Sequence, residues 1–145
     1  MHLSGTYDRN LDAKGRLSLP PAFRKQLEGN VRVLPAPEKD VDALYVFTED
    51  TFEAWLEAIF AKHGGYDDTR EDHRMVKEGL NGAATTLEID SAARIGLPEA
   101  YRQEVGIDRE VSVVGNEDRL VIWDRAKHEA RKTATKAALA NFFDN

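Results

Sequence analysis

The chain contains no cysteine. That excludes a disulfide framework, a thiol nucleophile and every thiolate zinc site. No apolar run approaches the roughly 18 residues needed to span a membrane. Residues 1–6, Met-His-Leu-Ser-Gly-Thr, lack the basic start and apolar stretch of a signal peptide, so we expect a cytoplasmic protein. Three phosphate and nucleophile motifs are also missing: Gly-x-Gly-x-x-Gly, a glycine loop ending in Gly-Lys-Ser/Thr, and the Gly-x-Ser-x-Gly elbow. The four histidines, His2, His63, His73 and His128, show no His-x-x-x-His spacing. His63 and His73 flank Asp67, Asp68, Glu71 and Asp72, which could attract a cation. That stretch lacks the glycine and ligand order of a calcium loop, and a solvated acidic face is the simpler reading. We therefore expect no metal, no cofactor and no enzymatic activity. Tryptophan is scarce, and Trp55 and Trp123 both lie in apolar runs that suit core packing.

What is present fits one ordinary globular domain or two very small ones. The 145 residues are 41% apolar and 32% charged. A chain of this size can bury roughly 68–70% of its unfolded surface. The net charge of −6 speaks against a nucleic-acid partner, but its distribution does not. Residues 1–25 carry five Lys/Arg (Arg9, Lys14, Arg16, Arg24, Lys25) against Asp8 and Asp12, a net of +3. Residues 38–78 carry twelve acids against five bases, a net of −7, and residues 119–136 return to +4. A basic end on an acidic body can hold a polyanion locally, because charge interactions are short-ranged in physiological salt.

The chain also repeats itself. Residues 12–27 align with residues 90–105 at an offset of 78, with six of sixteen positions identical. Most other positions are alike, as in Leu17/Ile95, Phe23/Tyr101 and Leu27/Val105. Further on, Leu44-Tyr45-Val46-Phe47 resembles Leu120-Val121-Ile122-Trp123 at an offset of 76. Two copies are too few for a solenoid and suggest a duplicated module folded as one pseudo-twofold domain.

Each module opens with a short strand, a turn and a second strand. In the first copy Asp12-Ala13-Lys14-Gly15 is the turn, with Asp accepting local N–H groups and Gly in the left-handed position of a short hairpin loop. Leu17 and Leu19 alternate with Ser18, and Pro20-Pro21 ends the strand and begins a helical turn. Phe23 and Leu27 share one face of it. Val31, Val33 and 44–47 read as later strands, and 110–114 and 119–123 flank the hairpin signal Gly115-Asn116-Glu117-Asp118.

Helices join and follow the modules. Asp50 and Glu53 have the spacing of a capping box, with Asp50 as N-cap. Phe52, Trp55, Leu56, Ile59 and Phe60 form an apolar stripe, and Gly64-Gly65 stops the helix. A second helix is expected over about 69–80, given boundaries good to about two to four residues. The stretch from Asp124 to Phe143 reads as a third, nearly polar all round and suited to solvent or an interface.

The recurring constellation is Asp-x-x-x-Arg: Asp12 with Arg16 and Asp90 with Arg94. Across a tight turn the carboxylate can hold the guanidinium in one rotamer and present its fork outward. Such a fork matches a phosphate or the two major-groove acceptors of guanine. The same spacing also suits a turn-stabilising ion pair, which contributes little at an exposed site. Lys14 adds a donor at the first tip, whereas its counterpart Ala92 is neutral.

Residues 5–24, Gly5-Thr-Tyr-Asp-Arg-Asn-Leu-Asp12 through Arg16-Leu-Ser-Leu-Pro20 to Arg24, resemble the opening of the bacterial MraZ proteins. Val113-Val114-Gly115 through Trp123 resembles that family's second module, so the likeness spans residues 3–130. It implies an α+β fold with a mainly β core: a tandem, pseudo-twofold, AbrB-like swapped-hairpin β-barrel with a helical linker and a C-terminal helix. The expected organisation is one domain over 1–145, with module 1 at about 1–50, linker about 51–82, module 2 about 83–124 and helix about 125–145. The resemblance further implies a nucleoid-associated transcriptional regulator of the division and cell-wall gene cluster. Such a protein assembles into ring-shaped homo-oligomers and binds double-stranded DNA at promoter direct repeats. DNA contact falls on Lys14, Arg16 and Arg94, with Arg9 and Arg24 from the same basic segment and Asp12 and Asp90 as salt-bridge supports. One departure is that Ser91-Ala92-Ala93 lacks the family's usual glycine and polar tip. The linker's second helix is also less aromatic than the family's. From a different class, a protein-interaction scaffold working through the acidic helices would leave the Asp/Arg pairs as braces.

Overall fold

A computed structural model describes residues 1–144. The first module contributes β1 (Thr6–Asn10), β2 (Arg16–Ser18), the single turn α1 (Pro21–Arg24), β3 (Asn30–Pro35) and β4 (Ala43–Thr48). Two linking helices follow, α2 (Glu49–Ala61) and α3 (Glu71–Ala83). The second module repeats the series as β5 (Thr85–Glu88), β6 (Arg94–Gly96), α4 (Glu99–Glu104), β7 (Glu110–Asn116) and β8 (Arg119–Asp124), and α5 (Arg125–Phe143) follows. The fold is thus α+β around a mainly β core.

The repeat becomes visible in the pairing. Six strands form one antiparallel sheet in the order β1-β7-β8-β4-β3-β5, and β2 pairs with β6 as a separate ribbon. Exchanging each strand for its repeat partner reverses the six-strand order and leaves it unchanged, so a pseudo-twofold passes between β4 and β8. The modules are interleaved, because β1 pairs with β7 and β5 with β3. This corrects the simple hairpin reading of each module's opening. The turn after β1 closes locally, yet the strands on its two sides take their main partners from the other module.

Layering explains why β4 is apolar at every position from 43 to 47. Leu44 and Val46 face one core, with Val31, Val33, Val113 and Ile122 of the sheet and Leu17 and Ile95 of the ribbon. Tyr45 and Phe47 face the other, against Phe52 and Trp55 of α2 and Trp123. Strands covered on both faces lose the polar half of the alternation. Trp55 stacks on Phe47 with ring centroids 4.9 Å apart and is 8% exposed. Leu56 and Ile59 complete the stripe at the edge of this cluster.

Two local details differ from the sequence reading. Helix α2 is capped by Thr48, whose hydroxyl accepts from the Thr51 N–H at 3.1 Å while Thr51 Oγ1 accepts from the Thr48 N–H at 2.9 Å. Asp50 lies inside the first turn, where its charge favours the positive end of the helix dipole. Helix α3 begins two residues later and ends three residues later than its expected span of 69–80. Asp124 caps α5 by accepting from the Lys127 N–H at 3.2 Å.

Candidate nucleic-acid interface

The ribbon carries the candidate site. In β2–β6, Arg16 pairs with Gly96, Leu17 with Ile95 and Ser18 with Arg94. Leu17 and Ile95 are fully buried, so their alternation turns Arg16, Ser18, Arg94 and Gly96 to the outer face. Arg16 and Arg94 are diagonal neighbours across this pair.

Each arginine leaves a turn built by its own aspartate. Asp12 Oδ1 accepts from the N–H groups of Lys14 and Arg16, both at 2.9 Å, and its Oδ2 accepts from Arg16 Nε at 2.6 Å. Asp90 repeats the pattern: Oδ1 accepts from Ala92 at 3.0 Å and Arg94 at 2.8 Å, and Oδ2 from Arg94 Nε at 2.9 Å. The backbone closes both turns alike, with the Gly15 N–H on the Asp12 carbonyl and the Ala93 N–H on the Asp90 carbonyl, each at 2.9 Å. The Arg16 N–H, assisted by the guanidinium and the Lys14 N–H, holds the Asp12 carboxyl at about 2, below its ordinary 3.8. Asp90 is lowered for the same reasons, first the Arg94 N–H. Both supports are therefore ionised under any physiological condition.

The pairing is one-sided. Each aspartate takes the Nε hydrogen, and among the described residues neither arginine gives its terminal Nη atoms a hydrogen-bond partner. Four of the five guanidinium N–H groups thus stay available on a fork whose direction is already set. Both arginine side chains are about one-third exposed, 33% in each case, which leaves that end open to solvent.

The two turns share one left-handed backbone position but fill it with different residues. Gly15 and its counterpart Ala93 both adopt left-handed φ, +74° and +59°. A Cβ at Gly15 would lie 2.6 Å from Arg102 Cζ, so glycine there gives the Arg102 guanidinium its seat. Arg102 Nε donates to the Leu97 carbonyl at 3.1 Å, as Arg24 Nε does to the Leu19 carbonyl at 2.9 Å. Arg102 and Arg109 line a depression with Asp12, Ala13, Gly15 and Asp108. Neither was singled out from the sequence. Arg102 was detectable as the repeat counterpart of Arg24, while Arg109 has no sequence signal.

The remaining expected residues are distributed as follows. Lys14 is exposed at the first tip. Arg24 is exposed on α1, beside the ribbon's exit. Arg9 lies on the edge strand β1 and not on the ribbon; its guanidinium covers its neighbour Tyr7 at 5.6 Å and donates to the Asp8 carbonyl at 2.8 Å. The acidic stretch holds no cation site of three ligands among the described residues. Its His73 is buried and accepts from the Asp67 N–H at Nδ1, 3.0 Å away.

The layers resolve the conflict between net charge and an anionic ligand. Helix α2 with Glu49, Asp50, Glu53 and Glu57 packs on one face of the sheet, and the ribbon packs on the other. The ribbon thus lies on the opposite side of the sheet from the acidic helix α2. Among the described residues no helix is long and apolar enough to cross a membrane.

Comparison with known proteins agrees over most of the chain. Residues 2–72 and 80–143 match the family model described as "MraZ protein, putative antitoxin-like". A protein of Clavibacter michiganensis subsp. michiganensis named transcriptional regulator MraZ is 34% identical over 137 residues, covering 94% of this chain and 91% of that one. One of the same name from Corynebacterium diphtheriae is 33% identical, with 94% and 91% covered. Another, from Xanthomonas oryzae pv. oryzae, is 27% identical, with 83% and 80% covered.

Proposed function

This chain belongs to the MraZ family, and from that membership we propose that it is a DNA-binding transcriptional regulator that reads duplex DNA with the outer face of its β2–β6 ribbon. The observation that carries the reading is the pair of aspartate-directed guanidinium forks, Arg16 and Arg94, on that face with their Nη groups free. Lys14 reaches a phosphate from the first tip, and Arg16 reads a base edge in the major groove. Arg94 is the lesser reader, because Ala92 supplies no cation beside it. Arg24, Arg102 and Arg109 flank the ribbon and supply phosphate contacts, with Arg9 at the periphery.

The finer reading follows the family. The protein acts in the cytoplasm on the nucleoid, on short direct repeats upstream of the division and cell-wall gene cluster, as a ring-shaped homo-oligomer. One ribbon offers few phosphate contacts, so repetition around a ring raises the effective concentration for each next contact. A head-to-tail ring suits direct repeats better than palindromes, because its interfaces are not isologous. Its two interleaved modules, about residues 1–50 and 83–124, act as one pseudo-symmetric reading unit joined by the helical linker.

A gel shift with the DNA upstream of that gene cluster, beside a scrambled duplex, tests the proposal at low and physiological salt. The upstream duplex is retained at both salts and the scrambled one only at low salt. Equal retention of the two at every salt would remove the regulatory reading, and no retention of either would leave the Asp/Arg pairs as turn braces.

A further inference from the structure

Helix α5 is only partly attached to the fold. Its first two turns are anchored: Arg125 donates to the Arg9 carbonyl at 2.8 Å, Lys127 reaches the Val105 carbonyl at 3.1 Å and the Arg131 guanidinium lies 4.3 Å over Trp123. From residue 132 to 143 every side chain is exposed, a projecting arm of roughly 18 Å at 1.5 Å per residue. The arm ends in Leu139, Phe142 and Phe143, at i, i+3 and i+4 on one face. Phe142 and Phe143 pack edge to face with each other at 5.4 Å and are each 78% exposed. A helical arm this short gains little from propensity alone, and an apolar tip in water offsets none of the cost of ordering it.

The same molecule also exposes an apolar groove on its linker. Helix α3 presents Met75, Val76, Gly79 and Leu80 over Leu34 and Ala36 at the end of β3, forming an open apolar groove. Met75 is 64% exposed, and a Cβ at Gly79 would meet nothing within 4 Å, so the groove is open along this side of α3. The charges are complementary. Residues 49–83 carry nine acids and four bases, a net of −5, while residues 125–143 carry five bases and one acid, a net of +4.

We propose that the apolar tip of α5 docks in the α3 groove of a second copy of this chain, with its basic stem lying along the acidic linker helices. This rests on the homo-oligomeric reading above and names the contact. The contact is heterologous: the donor's own groove and the acceptor's own tip remain free, so it propagates until it closes on itself. The device also breaks the pseudo-twofold, since a groove follows only module 1 and an arm only module 2.

Two variants test it, neither touching the ribbon or the core. The tip variant Phe142→Asp/Phe143→Asp keeps its groove. The groove variant Met75→Asp/Gly79→Gln keeps its tip, and removing a helix-interior glycine favours α3. Sedimentation velocity at micromolar concentration is expected to show an oligomer for the wild type and monomers for each variant, with native circular dichroism. Mixing the variants in equal amounts should restore a heterodimer and nothing larger, because one intact tip meets one intact groove. If either loses its native spectrum, the milder Phe143→Ser and Met75→Ser carry the same comparison. Variants that keep the wild-type mass overturn the docking and leave the oligomer reading standing. A wild type that sediments as a monomer overturns both. Loss of assembly in the tip variant alone, with no rescue on mixing, points to tip-to-tip packing and overturns the groove.

Discussion

Replacing Ala93 with glycine should stabilise this protein. Ala93 sits in the left-handed region at φ +59°, at the same point of its turn as Gly15 at +74°. Left-handed backbone costs an L-residue about 1–2 kcal/mol through the clash of Cβ with the following carbonyl. Glycine avoids that clash but loses about 0.4–1 kcal/mol more conformational freedom on folding. The balance favours Ala93→Gly by about 0.5–1 kcal/mol. For a chain of this size each kcal/mol moves the melting temperature by about 2–4 °C, so the rise is about 1–4 °C. The reverse change at the first turn, Gly15→Ala, has the opposite sign and a second cost. Its new Cβ would meet Arg102 Cζ at 2.6 Å and displace the guanidinium from its seat. Calorimetric melts of the wild type and the two variants at equal concentration check this. An Ala93→Gly protein that melts at or below the wild type would refute the reasoning, since it would mean that the turn carries no conformational strain.

Other predictions bear on the core, the turns and the electrostatics of binding. Trp55→Ala should lower stability by about 3–5 kcal/mol, as for large aromatic truncations in a core; the affinity of the folded fraction for DNA, read by anisotropy, should not change. Because the Asp12 carboxyl is depressed in the folded chain to about 2 from 3.8, its contribution is complete above the ordinary value and lost as pH falls toward about 2. Wild type and Asp12→Asn should therefore differ in acid-titrated melts at neutral pH and converge at the acid end. Lys14→Ala should weaken binding to all sequences alike and make the salt slope shallower by about 0.9.

Much of the architecture was legible because it was local. Residues 44–47 are apolar without interruption, which signals a strand covered on both faces, and that is where β4 lies. The stripe Phe52, Trp55 and Phe60 reads directly as the buried face of α2. What stayed hidden depended on non-local choices. Nothing in the period of Leu17 and Leu19 reveals that β2 would pair with β6, 76 to 80 residues away in register, and not with the strand before it. The helix cap went to Thr48 over Asp50, although both are good cap residues, because β4 pairs through to Thr48 and the chain turns there. The exposed tip of α5 is three residues in a long polar helix, and only its projection from the fold reveals it. At the interface, the Asp-x-x-x-Arg spacing indicated a pairing, and the structure adds which nitrogen is used and which are left over. Arg102 escaped notice because its role depends on the absence of a side chain at Gly15, a contact between modules.

If Arg16 reads DNA from a fork aimed by Asp12, the affinity of Arg16→Ala for specific and scrambled duplexes, by fluorescence anisotropy beside thermal melts, shows it directly. The loss on the specific site should exceed that on scrambled DNA by about 1–3 kcal/mol, the worth of a bidentate base contact. Arg94→Ala should lose less. If folded Arg16→Ala binds the specific duplex as tightly as the wild type while its melting temperature falls, the pair is a brace and the reading is wrong.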